Sequence, residues 1–144
     1  MQKNIFLAIA LSGCGLSLKA QCDNARVRYI SNKTENLDST KTVRDTRDEN
    51  VTVEITKTSI SIIPGNNPDE ALKGNFTDVN CLWRDAFANG KTIIKTTLSD
   101  PHGDPTTATI TIEGADGKIT ILLEAKEFPD RKLRLLVSKH EELN

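Results

Sequence analysis

Alternation is the feature that most constrains this chain. Ala108, Ile110 and Ile112 recur every second residue, with threonines between them. Ile119, Ile121 and Leu123 repeat the pattern after Ala115-Asp116-Gly117. A period of two puts alternate side chains on one face of an extended strand, so each stretch reads as a strand with a dry face and a wet one. Asp-Gly between two such runs is hairpin-turn chemistry, because both residues tolerate positive φ.

The same period runs through most of the chain. Ala25, Val27 and Tyr29 mark a first strand, and Val51, Val53 and Ile55 another. Thr58-Ser59 reads as a tight turn, after which Ile60 and Ile62 resume until Pro64-Gly65-Asn66-Asn67-Pro68 breaks the pattern. Ala71-Leu72 opens a region that ends near Trp83. Cys81 and Trp83 stand two apart there, on one face if the piece is extended. Asn89-Gly90 reads as a hairpin turn, with residues 91–98 as the strand that follows. Residues 100–105 read as a loop held open by Pro101 and Pro105. Pro129-Asp130 turns the chain into a last strand carrying Leu133, Leu135 and Val137, and residues 140–144 read as a polar tail.

Residues 32–50 are polar and charged, with Leu37 and Val43 their large apolar members. They are either a long loop or a solvated edge strand with a turn. Their run Arg44-Asp45-Thr46-Arg47-Asp48-Glu49 reads as a solvated turn. Residues 69–72 and 124–127 could each make one helical turn, too short to stand alone. The expectation is an all-β fold: seven or eight strands in an antiparallel meander, closing toward a barrel or half-barrel. The alternative is a β-sandwich, whose crossover only residues 32–50 are long enough to supply.

The N-terminus fixes an expected compartment. Lys3 precedes an apolar run from Ile5 to Leu18, and Ala20 offers a small residue before the polar Gln21-Cys22. That order is an export signal, with cleavage after Ala20 and a mature single domain over residues 21–144. The apolar run is shorter than the roughly 20 residues that a spanning helix needs. A rival reading starts at Leu11-Ser12-Gly13-Cys14, which resembles a bacterial lipobox and would place a lipid anchor on Cys14. Localisation is therefore secreted or periplasmic, or tethered to the envelope through Cys14.

Removing residues 1–20 takes away two lysines and no acid, leaving 17 basic against 20 acidic side chains. That balance offers no electrostatic footprint for nucleic acid. In an oxidising compartment the remaining even pair, Cys22 and Cys81, is expected to form a disulfide. It would close a loop of about sixty residues, worth on the order of 4 kcal/mol in the chain-entropy model.

Chemistry is thinly represented. Asp100-x-His102-x-Asp104 could place three metal-ligating side chains on one side of an extended loop. The same residues are also turn formers. Glu113, Glu124 and Glu127 are the carboxylates near the last hairpin, of which Glu113 and Glu124 read as solvated positions with Lys118 or Lys126 beside them. No nucleophile motif and no phosphate-cradling glycine loop occurs. Asn32, Asn50 and Asn75 stand in Asn-x-Thr sequons, which matter only in a cell that glycosylates asparagine. No cofactor is implied.

Leu18-Lys19-Ala20-Gln21-Cys22, the Thr- and Ile-rich meander, Cys81-Leu82-Trp83 and the Asp116-Gly117 hairpin together resemble small secreted envelope proteins of Gram-negative bacteria, some of them lipocalin-like. The resemblance is one of style and transfers no binding residue. The functional expectation is an exported, non-enzymatic β-domain that binds a small apolar ligand or a protein partner. Ile110, Ile112, Ile119, Ile121, Leu133 and Leu135 would line its cavity or fill it. A structural or adhesion-type module acting through an edge strand is the alternative, and a metal-dependent enzyme at Asp100, His102 and Asp104 the third. Residues 32–50 discriminate the first two: an ordered, exposed strand there invites pairing.

Overall fold

The computed structural model describes residues 26–143. The proposed signal segment, Cys14, Cys22 and Ala25 lie outside these residues. Among the described residues eight strands follow one another in chain order: β1 (Arg26–Leu37), β2 (Val43–Ile55), β3 (Ser59–Pro64), β4 (Leu72–Asp85), β5 (Asn89–Ser99), β6 (Pro105–Ala115), β7 (Lys118–Ala125) and β8 (Lys132–Leu143). Each pairs antiparallel with the next, and β8 returns to β1, so the meander closes into a barrel. The sandwich alternative is thereby replaced by closure, which removes sheet edges wherever neighbouring strands overlap. A single 3-10 turn, Pro68–Glu70, starts at Asn67, whose side chain accepts from the Asp69 N–H. Residues 124–127 form no helical turn: Glu124 and Ala125 are the end of β7.

Cross-strand register carries the apolar alternation around the barrel. Ile112 faces Thr92 on one side and Ile121 on the other, and Ile121 faces Leu135. Paired residues share a face, so these side chains stack in one inward row. Val53 joins the same core between Tyr29 and Ile62. The outward positions between them are mixed: charged and hydroxylic side chains alternate with the half-buried aliphatics Ile30, Ile63, Ile93, Leu122 and Leu136. Arg28 lies 2.9 Å from Glu54 across β1–β2, and Arg134 lies 2.8 Å from Glu35 across the closing β8–β1 seam. No helix among the described residues is long and apolar enough to cross a membrane.

Residues 32–50 are ordered. β1 runs on to Leu37, a turn occupies the next residues, and β2 begins at Val43. The expected polar tail is also strand, since β8 continues to Leu143 against Arg26. The β4–β5 turn falls on residues 86–88, and Asn89 and Gly90 are already paired with Asp85 and Trp83. Trp83 explains this shift. Its indole lies across the inner face beside Gly90 and Gly114, which are register partners of each other. A Cβ on Gly114 would sit 2.7 Å from Trp83 Cζ3, so this glycine is the seat of a tryptophan.

Candidate functional site

The barrel interior is the first place to look for a ligand. Ile110, Ile112, Ile119, Ile121 and Leu135 are 0%, 2%, 4%, 0% and 1% exposed. Surface lining a cavity wide enough for water would count as exposed, so none of these five borders such a cavity. Leu133 departs from the expectation. Its register with Leu123 puts it on the inner face, yet it is 38% exposed. It is the second residue of β8, just after the β7–β8 turn. A buried cross-strand link, Trp83 Nε1 to Thr92 Oγ1 at 2.7 Å, fixes the indole beside Cys81. The Thr92 hydroxyl also lies 3.9 Å from Cys81 Sγ, so Cys81 and Trp83 do share a face. Phe87, in the β4–β5 turn, stacks on His140 with ring centroids 4.4 Å apart and lies 6.5 Å from Tyr29.

Asp100, His102 and Asp104 do not converge as metal ligands. Asp100 Oδ1 instead accepts from the backbone N–H of His102 at 2.9 Å and of Asp104 at 3.0 Å. Gly103, at φ 83°, completes the turn by donating to the Asp100 carbonyl. The β1–β2 turn repeats this arrangement residue for residue. Asp38 Oδ1 accepts from the N–H of Thr40 and Thr42, both at 2.9 Å, and Lys41 takes the positive φ, 65°. The spacing that suggested ligands is therefore a backbone-capping turn used twice. No group of three His, Cys, Asp or Glu side chains able to hold a metal occurs among the described residues.

Glu124 and Glu127 are tied into the structure in a similar way. Glu124 pairs with Lys132 at 2.7 Å, in place of the expected Lys118 or Lys126. Both Glu127 oxygens accept from the Thr107 N–H at 3.1 Å, which holds its pKa below the ordinary value. Asp38 is lowered by the Thr40 hydroxyl first and the Thr42 N–H second. Glu141 is lowered chiefly by its hydrogen bond to Lys139. An open groove of about 370 Å³ runs beside Phe128, Pro129 and Thr109, with the Glu124–Lys132 pair in its wall. Lys126 is the other charged side chain that lines it.

What remains is the edge of β2. Its first part, residues 43–50, pairs with β1 alone among the described residues, because β3 ends opposite Val51. Every side chain from Val43 to Asp48 is exposed, inner face and outer face alike. The Gly65 N–H occupies the Asn50 carbonyl at 2.7 Å and so marks where the open stretch stops. The charged run at residues 44–49, which reads as a solvated turn because it lacks apolar alternation, is strand, and for residues 32–50 strand takes the place of the long-loop alternative. The signal that could have found it is the capping turn at Asp38, which fixes the β1–β2 hairpin and carries β2 outward. No protein-family model, no curated protein and no solved structure matches this chain.

Proposed function

We propose that this chain is an exported, non-enzymatic β-barrel that acts through its surface, binding a protein partner along the open edge of β2. One observation carries the reading: residues 43–49 form an ordered strand whose far side has no neighbour among the described residues. An unpaired strand edge presents N–H and C=O groups that another strand can take up. The close burial of Ile110, Ile121 and Leu135 weighs against the small apolar ligand as the main occupant, since a ligand in their part of the barrel needs the space they take. The reading includes cleavage after Ala20 and release to the periplasm or beyond, with lipidation of Cys14 as the tethered form. It also includes a Cys22–Cys81 disulfide. Support for the bond is the even cysteine pair of the mature chain and the position of Cys81 beside Trp83 at the start of the buried row.

Native mass spectrometry of protein recovered from its host tests this. The expected mass begins at Gln21, is lighter by two protons, and carries no small molecule that leaves on denaturation. A small non-covalent adduct would restore the carrier reading, and an acyl adduct on Cys14 would place the barrel on a membrane.

A further inference from the structure

The open edge of β2 is complementary to itself. In an antiparallel pair, residues whose backbone groups point toward the partner strand must face one another, so the two position numbers have the same parity. A strand pairing with its own copy about a two-fold axis is therefore centred on a residue, never between two. Centring on Asp45 would oppose two aspartates, on Arg47 two arginines, and on Asp48 two aspartates. Centring on Arg44 would oppose two arginines. Thr46 is different. It opposes Arg44 to Asp48 and Asp45 to Arg47, each twice by symmetry, with threonine facing threonine at the axis.

Geometry selects the same centre independently. The open stretch is bounded on one side by the Asp38 turn, which ends at Thr42, and on the other by Gly65 on the Asn50 carbonyl. What lies between is residues 43–49, whose midpoint is Thr46. A partner strand in this register fits between the two boundaries without reaching the place of β3. Asp45 and Arg47 lie on one face, 3.5 Å apart, with side chains 50% and 67% exposed. Neither is buried against another element, so both are available across the edge.

We propose that the protein that docks on this edge is a second copy of the chain, joined antiparallel about Thr46 so that one sheet runs β8–β1–β2 through the axis into the partner's strands. This rests on the edge reading above and names its occupant. A seven-residue seam is far smaller than a permanent interface, so the dimer belongs to the weak, transient class. Charges of one sign would block an edge; alternating charges block other registers and admit this one.

Sedimentation equilibrium of the mature, oxidised protein at low salt tests the proposal, using wild type, Asp45→Arg, Arg47→Asp and the double exchange. Either single change sets like charges opposite each other at two symmetric places and weakens the dimer roughly tenfold or more. The double exchange restores the alternation and the wild-type constant. Far-UV circular dichroism checks that each variant remains folded. In parallel, Thr46→Cys is expected to give a covalent dimer on mild oxidation, because facing Cα atoms of an antiparallel pair lie within disulfide range. Thr52→Cys, flanked by β1 and β3, gives none. A chain that is monomeric at all concentrations and uncross-linked at position 46 overturns the proposal. If a photo-crosslinker at position 46 then captures a different protein in the host, the edge reading survives alone. If it captures nothing, both fall.

Discussion

Two side chains show how closely the interior is fitted. Thr34 is 4% exposed, and its hydroxyl has no hydrogen-bond partner among the described residues. A buried donor without a partner costs on the order of 1–3 kcal/mol relative to an apolar group of the same shape. Thr34→Val, which keeps the branched shape, is expected to stabilise the fold by about 1 kcal/mol, read as a higher midpoint in urea unfolding. Gly114 gives the opposite case. Its missing Cβ is the space that Trp83 uses, and the indole is held by the Thr92 hydroxyl and cannot slide away freely. Gly114→Ala should destabilise by roughly 1–3 kcal/mol, with a changed tryptophan emission maximum as the local signature. An unchanged spectrum and an unchanged midpoint would mean the ring has room that the geometry denies it.

At the scale of elements, turns were less legible than strands, for a physical reason. Strand faces announce themselves by period, so the inward rows at Ile110, Ile121 and Leu135 could be read directly. Turn residues are ambiguous, because one composition serves several geometries. Asn89-Gly90 looked like a turn tip, yet Gly90 is in β5 because Trp83 needs a neighbour without a side chain. Asp100-x-His102-x-Asp104 looked like a ligand set, yet the carboxylate is consumed by backbone N–H groups. The open strand at residues 43–49 is only one of two readings its sequence allows, because both its faces are wet. The turn that launches it has a pH signature. Asp38 is held below its ordinary pKa by Thr40 and Thr42. A depressed carboxylate pKa contributes stability that is present above the unfolded-state value and lost as pH falls through the folded one. Asp38→Asn keeps an acceptor but not the charge. The stability gap between wild type and this variant should therefore be largest near neutral pH and shrink below about pH 4, as thermal melts across pH would show.

At the scale of the whole molecule, closure separates what forms early from what forms late. The β6–β7 hairpin is local, turning at Asp116-Gly117 with both residues at positive φ. The β1–β8 seam joins opposite ends of the domain, and its Arg134–Glu35 contact spans 99 positions. The entropy of closing so long a loop is spent before the seam's contacts repay it, so seam contacts should consolidate after the barrier and hairpin contacts before it. Ile121→Val tests the hairpin and Val27→Ala the seam; both residues are at most 5% exposed, so each change should cost enough to be read kinetically. In stopped-flow chevrons Ile121→Val is expected to slow refolding, and Val27→Ala mainly to speed unfolding. The reverse assignment would mean that the two ends of the chain meet first. The barrel would then be built from its seam outward, with the β2 overhang, which hangs from β1, in place before the last hairpin forms.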